Sequence, residues 1–324
     1  MLDSHGRVIR DLRLSVTDRC NFRCTYCMEP DERFLPKRSL LSLHDYLQIV
    51  DVCIGLGVRK LRLTGGEPTL YGDLDALIER VGQRQLDDIA LTTNGWSLDA
   101  DRAATWRAAG LNRITFSLDT LREDRMAAIT RSTTSVETVL SSIETARQAG
   151  FPRPKVNVVM QRGVNDDEAI DFAQLARERD LDVRFIEFMP LDSGRHWDRD
   201  IVVTAAETRS AIEAALPLQP VDALHDAQTS VNMAFADVAP GRIGFIAPVS
   251  APFCGACNRL RVTAEGMVRP CLFSRREWNL RPMLGDAASL AAFLQDVTWT
   301  KQAGHGIGSE AFEQPERGMR AIGG

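Results

Sequence analysis

The amino-acid sequence predicts an α/β chain built on an incomplete (βα)6 barrel of the TIM type, followed by a smaller α+β extension. Two observations carry this. Short apolar and β-branched runs recur at 11–16, 59–63, 88–92, 112–118, 155–160 and 182–188, and the segments between them carry helical periodicity. Strand–helix–strand units repeated six times join parallel neighbours through right-handed crossovers, which favours a barrel wall over an antiparallel fold. After about residue 195 the alternation fades, leaving a helical pattern near 204–215, a hairpin-like stretch near 258–270 and a helix at 286–296. We therefore expect the barrel in residues 1–220 and the extension in 221–324.

The clearest connecting helix is 43–56. Leu43, Tyr46, Leu47, Val50, Cys53 and Ile54 recur at three- and four-residue spacing behind Ser42, a residue type that caps helix amino termini. Cys53 falls on that apolar face and is expected to be a buried small hydrophobe.

A chain of 324 residues with 44% hydrophobic residues can bury a full core. Its formal charge of −5 argues against broad binding to nucleic acid. The start, MLDSHGRVIRDLR, lacks the apolar centre of a secretory signal, and no run of 18 uncharged apolar residues occurs. Neither export nor a membrane span is expected, and the expected compartment is the cytoplasm. Thiols stay reduced there, so clustered cysteines point to metal or redox chemistry rather than to a disulfide framework.

Six of the seven cysteines fall into two sets of three. Cys20, Cys24 and Cys27 have the spacing C-x3-C-x2-C directly after the first strand, at the barrel end where such folds assemble active sites. Cys254, Cys257 and Cys271 form the second set, spaced C-x2-C-x13-C. Neither set has a histidine close by, and His5, His196, His225 and His305 show no ligand spacing. A structural zinc ion wants four nitrogen or sulfur ligands, so a zinc site would need a distant fourth donor. A four-iron cubane accepts three thiolates and leaves one iron open to an exogenous ligand.

Basic residues interrupt four strands: Arg13, Arg62, Lys155 and Arg184. Strands buried on both faces should be almost continuously apolar. An inward set of cations therefore implies nearby carboxylates or a polyanionic ligand, because an unpaired buried charge costs several kcal/mol, roughly 3–5 when a pair is broken. Arg259 and Arg261 alternate along one strand and share a face.

The triplet RCNFRCTYC, with Tyr26 before its last cysteine, and TGGEP at Thr64–Pro68 resemble the radical S-adenosylmethionine superfamily. There the open iron is chelated by that cofactor, and a 5′-deoxyadenosyl radical abstracts substrate hydrogen. The second set, with LTTNG, FSLD, KVNVVMQRGVND, RFIEFMPL, CNRLRVTAEG and RPCLF, resembles the GTP 3′,8-cyclase family of molybdenum-cofactor biosynthesis almost end to end. That resemblance implies two [4Fe-4S] clusters, on Cys20, Cys24 and Cys27 and on Cys254, Cys257 and Cys271. It implies cofactor contacts at Tyr26, Gly66, Glu67, Ser117 and Met189, and substrate contacts at Arg13, Arg62, Thr92, Lys155, Arg259 and Arg261; Arg184, from the set of strand cations, is expected to meet either the substrate or a structural carboxylate. The terminal glycines, Gly323 and Gly324, are implied to reach the active site. A homodimer, an electron donor and a hand-off to a cyclic pyranopterin monophosphate synthase complete the expectation, with no nucleic acid or membrane partner.

Overall fold

The structure, a computed structural model, describes residues 1–310 and 312–323. Six strands follow the expected runs closely: β1 Asp11–Ser15, β2 Lys60–Thr64, β3 Asp88–Thr93, β4 Arg113–Ser117, β5 Lys155–Met160 and β6 Asp182–Glu187. The carboxyl-terminal half adds β7 Leu218–Pro220, β8 Val231–Phe235, β9 Arg242–Ile246, β10 Arg259–Val262, β11 Met267–Arg269 and β12 Trp278–Asn279.

All twelve belong to one open sheet of order β12-β11-β10-β1-β2-β3-β4-β5-β6-β9-β8-β7. The six barrel strands are parallel, and β10 and β9 join them in parallel on either side, against β1 and β6 respectively. The hairpin foreseen at 258–270 is present as β10 and β11. Position 220 ends β7, and the sheet runs on across it.

Strands β1, β2, β5 and β10 alternate. Leu12 and Leu14, Leu61 and Leu63, Val156 and Val158, and Leu260 and Val262 are buried in the main core, while Arg13, Arg62, Asn157 and Arg261 line a central cavity. The charges interrupt the strands because the concave face is a polar chamber rather than a second apolar layer.

The helix Leu43–Gly55 starts where expected. Ser42 Oγ accepts from the Asp45 amide while Asp45 accepts from the Ser42 amide, a reciprocal cap contributing about 1 kcal/mol. Tyr46, Ile49, Val50 and Cys53 are its buried residues, and burial pushes the Cys53 thiol up to about 12. Among the described residues no helix is long and apolar enough to cross a membrane.

Candidate active site

The loop after β1 presents the first cysteine set. A tight turn, with the Cys27 amide donating to the Cys24 carbonyl at 2.9 Å, puts these thiols on one side of the loop. Arg23 and Thr25 pin it to Thr130 and Ile129 through backbone bonds of 2.8 and 2.9 Å. The TGGEP turn closes the other side. Gly66 donates to the Thr17 carbonyl (2.9 Å) and Glu67 to the Arg19 carbonyl (2.7 Å). A Cβ at position 66 would stand 2.4 Å from the Arg19 carbonyl oxygen, so glycine is required for the two backbones to meet.

Glu67 is fully buried and braced. Its Oε1 accepts from the Thr69 amide, Thr69 Oγ1 and Thr93 Oγ1 at 3.0, 2.6 and 2.8 Å, whereas Oε2 accepts only from the Asn94 amide at 2.7 Å. Desolvation raises its pKa against these donors. Tyr26 donates to Asp119 Oδ2 at 2.7 Å, and Asp119, pushed up to about 6 by burial, also accepts from the Val159 amide. Ser117 ends β4 at the cavity wall, and Met189 lines the same cavity just beyond β6.

The second cysteine set faces the same space. A cavity of about 770 Å³ is lined by Cys20, Cys24 and Cys27 and also by Cys254, Cys257 and Cys271. All six are free thiols. Burial pushes Cys20 up to about 12 and Cys27 to about 11, and it raises Cys24 well above the ordinary thiol range. As bare thiols they would therefore stay protonated, so a cationic centre that takes thiolates suits the donor set. At Cys257 burial raises the pKa, but Arg259 and Lys301 outweigh it and bring the thiol down to about 6. Two residues that carried no motif signal hold this loop. Buried Arg7, paired to Asp3 at 2.5 Å, donates to the Cys254 carbonyl at 2.8 Å, and buried Lys301 donates to the carbonyls of Arg259 and Pro270.

The cations divide into two classes. Lys155 and Arg184 share Asp182, with Arg184 Nη2 at 3.0 Å, and Arg113 pairs with Asp88. Among the described residues, Arg13, Arg62, Arg259 and Arg261 have no carboxylate within ion-pair distance, and Arg13 Nε is buried without a hydrogen-bond partner. Arg62 donates to Thr92 Oγ1 at 3.0 Å and to Thr115 Oγ1 at 3.3 Å. Arg261, Arg13 and Arg62 stand side by side in register on β10, β1 and β2. Like charges at opposed strand positions repel. Burial first, and then neighbouring cations, draw their pKa values down, Arg62 to about 9.

The described part of the tail approaches this chamber, where Met319 and Arg320 line the cavity. Arg320 pairs with Asp18 and Glu32 beside the first cysteine loop, and Ile322 packs with Leu191 and Phe273. The Gly323 carbonyl accepts from Arg261. Gly323 has φ +73°, and a Cβ there would lie 2.4 Å from Ser15 Oγ and 2.6 Å from Thr64 Oγ1. Gly324 lies outside the described residues.

The Radical SAM superfamily profile matches residues 14–176, and the Molybdenum Cofactor Synthesis C profile matches residues 181–307. GTP 3′,8-cyclase 2 of Pseudomonas aeruginosa is 44% identical over 330 residues, covering 100% of this chain and 98% of that protein. GTP 3′,8-cyclase of Streptomyces coelicolor is 41% identical over 331 residues, covering 100% and 96%. Among solved structures, Streptococcus suis SuiB bound to S-adenosylmethionine superposes with a TM-score of 0.64 at 14% identity, over 93% of this chain and 66% of that one. Native anSMEcpe with bound AdoMet gives 0.60 at 14% identity, over 92% and 82%. These two likenesses speak to the fold. The full-length relatives and the two matched profiles place this chain in the radical S-adenosylmethionine superfamily, as a member of its GTP 3′,8-cyclase family.

Proposed function

We propose that this chain converts GTP to 3′,8-cyclo-7,8-dihydro-GTP, an early step of molybdopterin cofactor biosynthesis. One observation carries the site assignment: two open cysteine sets and a register-matched arginine row line a single cavity.

Cys20, Cys24 and Cys27 would hold a [4Fe-4S] cluster, and Cys254, Cys257 and Cys271 a second one. With S-adenosylmethionine bound, the first would supply one-electron radical chemistry for removal of the ribose 3′ hydrogen, and the substrate would be held for bond formation between that carbon and guanine C8. The chain's own residues orient and shield. Gly66, Glu67, Ser117, Met189 and Tyr26 surround the cofactor position, where Glu67 Oε2, holding one bond, has room for an ammonium donor. Arg261, Arg13 and Arg62 offer guanidinium forks to phosphate oxygens, and an anion there relieves their mutual repulsion. Arg259 and Thr92 extend that wall, and Lys155 and Arg184 face the cavity from β5 and β6 on the other side. The terminal glycines are assigned to the reacting centre, Gly323 through the carbonyl that accepts from Arg261.

We assign residues 1–220 to cofactor cleavage and 221–324 to substrate orientation by the second cluster and the tail. The working form is a cytoplasmic homodimer that draws on an electron donor and passes its product to a cyclic pyranopterin monophosphate synthase. Anaerobic incubation of the reconstituted protein with S-adenosylmethionine, a reductant and GTP tests the reading. The expected products are 5′-deoxyadenosine and the cyclised nucleotide. Deoxyadenosine without the cyclised nucleotide would overturn the substrate, and its absence would overturn the chemistry.

A further inference from the structure

Opposite the arginine row, the wall made by β5, β6, β9 and β8 carries polar groups that none of the roles above uses. One register row runs Ser117, Asn157, Arg184, Gly244, Asn232 across β4, β5, β6, β9 and β8. Ser230, two residues before Asn232, shares its face of the strand. Ser230 is 4% exposed and Asn232 8% exposed, yet Ser230 Oγ, Asn232 Oδ1 and Asn157 Oδ1 are all buried with no hydrogen-bond partner. These three residues and Arg184 line the central cavity.

Gly244 makes their convergence possible. A Cβ there would lie 2.3 Å from Ser230 Oγ, 3.0 Å from Asn232 Oδ1 and 3.2 Å from Arg184 Cγ. A buried oxygen without a donor is costly, and three along one wall of a ligand-sized cavity call for a ligand that brings donors. Phosphate brings only acceptors, and the arginine row already serves it. The remaining donors of a nucleotide are its sugar hydroxyls and the N–H groups of its base. The row begins at Ser117, beside the cofactor position, so it follows the part of the substrate that must lie next to the reacting carbon. That part is the sugar.

We propose that Asn157, Ser230 and Asn232 form a sugar-reading subsite that accepts the ribose 2′-hydroxyl of the nucleotide. It rests on the functional reading above and adds three polar residues to the substrate contacts. Arg184, held by Asp182 through Nε and Nη2 at 3.3 and 3.0 Å, stands between the acceptors as the neighbouring donor.

The test is equilibrium binding of GTP, 2′-deoxyGTP and ITP to the anaerobic holoenzyme, as wild type, Asn232→Ala and Asn157→Ala. The second variant lies on an interior strand, so it reports even if the first disturbs β8. Wild type should bind GTP about five- to tenfold more tightly than 2′-deoxyGTP, the worth of one buried hydrogen bond. The variant that removes the accepting oxygen should bind GTP as weakly as wild type binds 2′-deoxyGTP, should bind 2′-deoxyGTP unchanged, and should lose the same factor with ITP; wild-type GTP affinity in both variants would overturn the subsite. Equal wild-type affinity for GTP and 2′-deoxyGTP would overturn the subsite alone. So would a loss in the variants that vanishes with ITP, because ITP lacks only the exocyclic amine of guanine and the row would then read the base. Absence of GTP binding by wild type would instead overturn the functional reading, and the subsite with it.

Discussion

The guanidinium of Arg261 donates to the carbonyl of Gly323, joining the strand beside the second cysteine set to the end of the chain. Arg261 also stands in register with Arg13. One side chain thus touches the tail and belongs to the row offered to phosphate.

The first prediction concerns that tail. Gly323→Ala would require a side chain where Ser15 Oγ and Thr64 Oγ1 already sit, on a residue at φ +73°. Ordering each tail residue costs roughly 1–2 kcal/mol of backbone entropy, so a poor fit should release the tail rather than deform the barrel. Gly323→Ala, and deletion of Gly323 and Gly324, should leave iron content and melting temperature near wild type. Both should strongly reduce cyclised nucleotide. Wild-type turnover by the deletion would mean that the terminal glycines do not serve the reaction.

Unequal partners within the basic set give the second prediction. Arg261 has no carboxylate partner among the described residues, whereas Lys155 shares Asp182 with Arg184. Arg261→Ala should weaken GTP binding by about 2–3 kcal/mol, the worth of charge-assisted bonds to phosphate. Lys155→Ala should cost less, about 1 kcal/mol, because Asp182 keeps Arg184 as a partner. Anaerobic calorimetry measures both, and affinity for S-adenosylmethionine should hardly change. A larger loss for Lys155→Ala would place the phosphates on the opposite wall.

Much of this was legible in the sequence. Val156, Val158 and their counterparts marked the six barrel strands, since apolar side chains at alternate positions face the helices wherever a strand is covered on its outer face. The two cysteine triplets stood out by spacing alone. The strands β7, β8 and β9 were not foreseen: they are short, Gly244 interrupts one of them, and β9 pairs with β6 across more than fifty intervening residues. No local pattern encodes such a pairing. Arg7 and Lys301 carry no sequence signal for a related reason. Each acts by donating to backbone carbonyls of the second cysteine region from a distant part of the chain, and a lone basic residue carries no spacing signal.

Proton linkage supplies the third prediction. Burial, followed by repulsion from Arg184, lowers Lys155 from the ordinary 10.5 to about 8, despite Asp182. Between those values the unfolded chain binds the extra proton, so this group makes stability rise with pH across about 8 to 10.5 and penalises the fold below that window. A polyanion favours the charged amine, so GTP binding near pH 8.5 should draw in protons. Calorimetry in buffers of different ionisation enthalpy measures this uptake. Lys155→Met should take up fewer protons than wild type; identical uptake would remove Lys155 as the responsive group.

The two cysteine sets share a cavity but differ in what holds them, and the last prediction separates their tasks. Cys20, Cys24 and Cys27 sit in a loop pinned to the Gly66–Glu67 turn, beside the Ser117 and Met189 positions assigned to the cofactor. Cys254 is held instead by Arg7, Cys257 donates its amide to the Cys254 carbonyl, and β10 with Arg259 and Arg261, the substrate wall, follows directly. Cys24→Ala should therefore abolish reductive cleavage of S-adenosylmethionine and, with it, all product. Cys257→Ala should leave the first loop intact and retain measurable 5′-deoxyadenosine formation while losing the cyclised nucleotide, because radical generation would then proceed without an oriented substrate. Quantifying both products under anaerobic conditions, after reconstitution with iron and sulfide and determination of iron content, decides the matter. Full cyclisation by the Cys257 variant would show that the second set has no part in placing the substrate, and loss of deoxyadenosine in that variant would show that the two sets do not work independently.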